Sequence, residues 1–536
     1  MLTFASILLA LATPGPAAIA QAAASATPTP NPLTISGFYR AYYFTRQNAS
    51  NNPGVQFNYS PGAKYNSNAV NQATFNNAID LHADYHFAGG GFFIGGTYLY
   101  ANPFDDTCST ALLHAKGRTC VTEKPPNTNP DDTVPGFILN TFYEGYLGYS
   151  AHNVYAKVGD QLFNSPWASP VDTRLKPAAF QGGDFAYTPG PWTYEFARML
   201  QFEPRNSSTF VSQTLITGYP AGGTGLASNI ANPGGGGINT DGFYYGRIGY
   251  APKGGDYSAN GYLWSVNDIV NIYWGDAKYT LQENRWKPYV ALQGGWESNT
   301  GASYVGKIAS SMFGAQLGFN VTKTVVIAAS YDGVPWKYDN VVLPKGFSCS
   351  NSTFQIKTPT QQSPPQPGNT LGYFLPLNSG QCFTNPNGLT TVAYGGWASP
   401  YTDNYATNPV FTTSISQGEP DRRAGVQSYR IAATYTSQNG RGIFIAGDAW
   451  YNYGNTLVGQ TTNEWNLDGT YRFMPVSKTG PYHGLQFRYR YAQRSYSNTY
   501  CGAAGSYCPT GLTSGATFLG GQPLFKYNRA MLEYDF

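Results

Sequence analysis

Ile79-Asp80-Leu81-His82-Ala83-Asp84-Tyr85-His86-Phe87 is the stretch that decides the fold. Its odd positions are apolar or aromatic, and every even position is Asp or His. Successive side chains of an extended chain point to opposite faces, so this segment is a strand with one greasy and one ionisable face. A half-buried strand of a soluble sheet does not need four ionisable groups in a row opposite such a face. A strand with lipid on one side and a wet lumen on the other accommodates them.

The same rhythm recurs along the chain. It runs through residues 33–46, 91–101, 136–149, 154–163, 179–187, 192–203, 242–251, 257–266, 271–281 and 288–297. It continues through 307–319, 324–333, 426–437, 442–454, 463–473, 484–495 and 524–536, where the chain closes on Leu532, Tyr534 and Phe536 at alternate positions. With residues 79–87 this makes eighteen strands, an even number, as a single-chain bacterial barrel requires. Segments 179–187 and 271–281 are weakly patterned, so sixteen or twenty strands stay open. The connectors alternate. Short ones at 88–90, 188–191, 253–255 and 438–441 are interleaved with long ones at 102–135, 164–178, 204–241, 334–425 and 496–523. Barrels of this kind have short periplasmic turns and long extracellular loops. If the first strand starts at the periplasm, every long connector lies outside. The expected fold is all-β: a transmembrane antiparallel β-barrel over residues 33–536, in the bacterial outer membrane.

Composition agrees. Charged residues are 11% of the chain and aromatics 16%, with 43 Tyr and 62 Gly. That suits strands, turns and interfacial girdles rather than helices. Mean hydropathy is −0.33, too polar for a helical membrane protein but not for strands with one wet face. A net charge of +3 excludes the basic footprint of a nucleic-acid binder. Residues 1–20 hold an apolar run, 2–11, and an A-x-A site at Ala18-Ile19-Ala20, as in a signal peptide, although no Lys or Arg precedes the run. Residues 21–32 form an extended linker. The cysteines fall into three sequence-local pairs, Cys108 with Cys120, Cys349 with Cys382, and Cys501 with Cys508. All lie in long connectors, which favours three loop disulfides in an exported protein; locality alone does not fix the pairing.

Residues 158–183 resemble the OprD family of outer-membrane porins. There a strand ending G-R-Q leads into N-[ST]-P, D-x-R-L-x-P and F-x-G. Gly159, Gln161, Asn164, Pro166, Asp172, Arg174, Leu175, Pro177, Phe180 and Gly182 match, whereas Asp160 stands where the family usually has Arg. The opening strand, residues 37–46, is also similar to that family's first strand. The connector 334–425 is long for it. The resemblance implies a monomeric or weakly trimeric channel for small solutes, often carboxylates, in which the third outer loop folds inward. By that likeness residues 164–178 are the constriction loop, with Asn164 and Pro166 shaping it. Asp172 and Arg174 are then either eyelet groups or braces within the loop.

Strand phase supplies further site residues. In 484–495, Leu485, Phe487, Tyr489 and Tyr491 face lipid, which turns Arg488, Arg490 and Arg494 inward. Arg40, Arg46, Arg430 and Arg472 point inward by the same logic, with Asp468 near Arg472. An arginine at mid-depth on the lipid face costs roughly 2–4 kcal/mol. Strands fourteen to eighteen and strand one become neighbours on closure, so these arginines form a basic wall. Asp80, Asp84 and Glu144, with Asp160 if its strand keeps phase, form an acidic wall across strands two to five. Such walls either set up a transverse field or pair off as salt bridges that stiffen the lumen. His82 and His86 lie ~13 Å apart on one strand face and cannot share a metal. No catalytic, metal or cofactor motif is present. The surroundings implied are outer-membrane lipid and lipopolysaccharide outside and small hydrophilic solutes inside. The rival functions are a surface adhesin acting through its long loops and a barrel enzyme.

Overall fold

The computed structural model describes residues 32–48, 72–88, 90–106, 139–170, 175–205, 207–217, 237–341, 348–350, 355–357, 381–384, 390–401, 409–413, 415, 424–452, 461–473, 484–497 and 523–536. The signal segment and residues 21–31 of the linker lie outside them. One antiparallel sheet holds eighteen strands, so the count is neither sixteen nor twenty. They are β1 (Leu33–Asn48), β2 (Gln72–His86), β3 (Phe92–Asp106), β4 (Leu139–Ala151), β5 (Val154–Gln161), β6 (Ala179–Tyr187), β7 (Trp192–Glu203), β8 (Phe243–Tyr250) and β9 (Tyr257–Val266). The rest are β10 (Val270–Thr280), β11 (Tyr289–Asn299), β12 (Ala309–Asn320), β13 (Val325–Gly333), β14 (Gln427–Thr436), β15 (Gly442–Asn452), β16 (Thr461–Arg472), β17 (Gly484–Ser497) and β18 (Pro523–Asp535). Each strand pairs with its sequence neighbours. The sheet closes because β1 pairs with both β2 and β18: Arg40 stands opposite Ala78 on one side and Glu533 on the other. Closure leaves no edge, which hydrocarbon demands, since lipid satisfies no backbone group.

Both weakly patterned strands, β6 and β10, are present. The largest boundary difference is in β2, which begins at Gln72 rather than Ile79. There the alternation passes through Asn76 and Asn77, which a hydropathy rhythm does not register. The β4–β5 turn is a two-residue hairpin, with His152 at φ 52° and Asn153 at φ 66°. That left-handed pair matches the twist of the flanking strands. Bulges locally reset the phase. One between Thr97 and Tyr98 lets Tyr143 and Glu144, adjacent in β4, both turn inward while Phe142 faces out.

The outer surface is apolar. Phe142 is 72% exposed, Leu317 62% and Trp296 58%. In water such a belt would mark an interaction or aggregation surface, whereas in hydrocarbon it is the ordinary solvent-facing side. Aromatic rings gather at both rims. At the short-turn end Trp192 meets Tyr250 at 4.7 Å, and Tyr435 meets Phe444 at 6.1 Å. Towards the long-connector end Tyr273 stacks on Trp296 at 5.1 Å, and Trp465 meets Tyr491 at 4.9 Å. These are the interfacial girdles of a membrane-spanning barrel.

Candidate functional site

The long-connector end of the lumen is filled by two inward segments. The first follows β5. Gly159 in that strand has φ +132°, and a Cβ there would sit 2.2 Å from the Gly145 carbonyl oxygen, so the motif glycine is required by close strand approach. The chain then turns inward. Leu162 N–H donates to Glu144 Oε1 at 3.1 Å, and Ser165 closes a tight turn with the Ala168 carbonyl. Asn164 and Pro166 lie in this turn, half-buried. Trp167 is buried, and Trp264 Nε1 donates to Ser165 Oγ at 3.1 Å. Further on, Lys176 has no exposed side chain. Its ammonium donates to the Pro177 and Pro204 carbonyls at 3.0 and 3.2 Å and pairs with Glu203 at 3.2 Å. Burial lowers the Lys176 pKa, and Glu203 opposes that shift. Asp172 and Arg174 lie outside the described residues.

The second inward segment belongs to the connector between β13 and β14, of which 390–401, 409–413 and 415 reach the wall. Ala168 and Tyr401 form a parallel bridge, so the two segments pair directly. Trp167, the wall residue Trp274 and Trp397 form a trio with ring centroids 5.2, 5.2 and 5.5 Å apart. Wall side chains hold this connector by its main chain, among them Tyr451, whose hydroxyl donates to the Thr412 carbonyl at 2.7 Å. Ala398 N–H donates to Glu297 at 2.8 Å, Thr412 N–H to Asp332 at 2.8 Å and Ile415 N–H to Glu464 at 2.7 Å. The Ser310 hydroxyl donates to the Gly396 carbonyl at 2.7 Å. None of these contacts is visible in the periodicity of the strands, and the sequence reading missed them, as it did Lys176.

The charged side chains of the inward faces pair as follows. Arg488 makes a two-point contact with Asp468 at 2.9 and 2.8 Å, and Arg490 reaches the same carboxylate at 2.6 Å. Asp468 was expected beside Arg472. Register overturns that, because Asp468 stands opposite Arg490 in β17. Arg494 pairs with Glu464 at 3.2 Å, and Arg40 pairs with Glu533. Arg430 is half-buried on the same wall, and Arg472, on the inward phase, is exposed at the short-turn end. Arg529 joins this set: it is buried with Tyr527 and Met531 on the inward face of β18, opposite Arg490. The phase of the terminal strand carries that signal. Of Arg46 only the backbone is described.

On the strands that follow β1, Tyr143 donates to Asp80 at 2.6 Å and Tyr146 to Asp84 at 2.8 Å, while Thr97 donates to Glu144 at 2.6 Å. His82 lies 2.9 Å from Asp84, and Lys157 lies 3.6 Å from Glu144. Asp160 accepts from Gln181 at 2.9 Å. His86 stacks on Phe93 at 5.3 Å. Cys349 and Cys382 sit in the short loop strands Ser348–Ser350 and Gln381–Thr384, described by backbone alone. The other four cysteines lie outside the described residues.

A closed eighteen-stranded barrel, apolar outside, charge-lined within and narrowed by inward loops, has the fold of a bacterial outer-membrane porin. The search of solved structures finds the same fold in porins of Pseudomonas aeruginosa. OccK9 (OpdG) superposes with a TM-score of 0.56 at 15% identity over 94% of this chain and 98% of its own. OccK2 (OpdF) gives 0.58 at 12% over 94% and 97%. The outer membrane protein OpdK gives 0.57 at 12% over 94% and 98%. OccK2 has also been solved in complex with glucuronate, and OpdK with vanillate. At this identity the likeness is one of fold. No family model matches the chain, and no curated protein matches it.

Proposed function

We propose that the protein is a porin of the OprD type: a water-filled channel through which small hydrophilic solutes diffuse, carboxylates and amino acids among them. The observation that carries this reading is the pair of neighbouring basic and acidic sectors lining an apolar cylinder. Taking ions out of water costs several kcal/mol each even after relaxation. Partly exposed groups such as Arg488, His82 and Asp84, whose side chains are 27%, 24% and 23% exposed, are therefore a sign of a wet lumen. On the basic wall Arg488 and Arg490 both contact Asp468, which gathers guanidinium groups where the carboxylate of a solute could meet them. The acidic wall suits the ammonium end of a zwitterion. Glucuronate and vanillate, bound by the solved neighbours, are small carboxylates, in keeping with this chemistry.

Swelling of proteoliposomes in a panel of sugars, amino acids and carboxylates tests the reading. Small carboxylates and amino acids should enter faster than neutral sugars of equal size. Replacing Arg488 and Arg490 with Ala removes two cations and bares Asp468, so the reversal potential in a salt gradient should shift away from anion preference. Equal entry of all solutes, with an unchanged reversal potential in that variant, would defeat the basic-wall assignment.

A further inference from the structure

Three wall carboxylates are committed to the long connector. Glu297 on β11, Asp332 on β13 and Glu464 on β16 each accept one of its main-chain N–H groups, at 2.8, 2.8 and 2.7 Å. Their exposures are 3%, 0% and 0%. All three sit near the long-connector end of their strands, on the lumen face. A carboxylate buried away from water is unfavourable unless hydrogen bonds compensate it, and bonds from N–H to an ionised oxygen are among the stronger ones available. A loop resting on the rim through apolar contact would need no such groups. Asp332 is also fixed by Gln293, whose amide donates to its other oxygen at 2.7 Å. Glu464 is tied to the basic wall through Arg494 at 3.2 Å.

We propose that Glu297, Asp332 and Glu464 are positioning residues that harness the connector inside the lumen and so set the size limit of the channel. The geometry stands independently of the channel reading, whereas the consequence for solute size rests on it. The three bonds are spread over non-adjacent strands, so the connector is held across part of the circumference rather than hinged at one point. Loss of one bond loosens the segment, and loss of all three should loosen it further, although the Ser310 and Tyr451 bonds still hold it.

The test combines Glu297→Met, Asp332→Leu and Glu464→Met, which keep bulk but accept no hydrogen bond. Heat-modified gel mobility first shows that the barrel has formed. Amide hydrogen exchange over residues 396–401 and 409–415 should then quicken by about tenfold or more, the factor implied by losing charge-assisted bonds. Vesicle swelling should admit larger sugars than the unaltered protein does. Gln or Asn at the three positions, which keep a neutral acceptor oxygen, should give intermediate exchange. A folded triple variant with unchanged exchange would overturn the harness. Quicker exchange with an unchanged size limit would overturn its role in setting that limit. If the triple variant fails to fold, each single variant must show the same changes at smaller size, and their absence overturns the proposal equally. If the unaltered protein causes no swelling while exchange in the variants still quickens, the channel reading fails and the anchoring stands.

Discussion

Lys176 shows what a single residue does here. Its ammonium sits beneath the inward turn, held by Glu203, two proline carbonyls and the Tyr143 ring at 5.3 Å. Removing one member of a buried ion pair strands the other and costs about 3–5 kcal/mol, whereas replacing both with apolar groups is often neutral. Lys176→Met should therefore lower the temperature of the heat-modified gel transition and make the open-channel current noisy. Lys176→Met with Glu203→Leu should recover most of both, and a single variant as stable as the double would contradict this. Residue-scale legibility was uneven for a physical reason. Phase within a strand shows that Arg488 and Arg490 turn inward, but register between strands decides that Asp468 is their partner, and one strand alone carries no register. The phase rule also has an exception among the described strand arginines. Arg198 shares the outward face of Phe196 and Leu200, lies over Tyr244 at 4.4 Å and donates to the carbonyls of Met199 and Asp241. Near the rim an outward arginine costs only ~0–1 kcal/mol, so position relaxes the rule.

At the scale of elements, the strands were readable because two different solvents impose a period of two on each. The connectors were not, because nothing periodic acts on them. The likeness in residues 158–183 pointed to one inward loop, and the structure adds a second. The two meet at the Ala168–Tyr401 bridge and in the trio of Trp167, Trp274 and Trp397. A large aromatic cut back to Ala in packed surroundings loses about 3–5 kcal/mol. Trp397→Ala should free both segments, seen as faster exchange in 163–170 as well as 396–401. Trp397→Phe keeps a ring in the trio and should stay close to the unaltered protein. Exchange confined to 396–401 in the Ala variant would show that the loops are held separately.

For the whole molecule, closure and charge act together. Closure sets β18 beside β1 and β1 beside β2, so the arginines of β14–β18 and β1 and the acidic set of β2–β5 occupy neighbouring sectors of one wall. Field lines between low-dielectric walls are focused in such a lumen, so the proposed channel would discriminate solutes by charge. All of this requires that the cylinder be hollow and wet. Purified protein added to a planar lipid bilayer between salt solutions measures that directly. The account predicts discrete, uniform steps of ohmic current, one for each inserted barrel. A folded, heat-modifiable protein that inserts and passes no ions would contradict it.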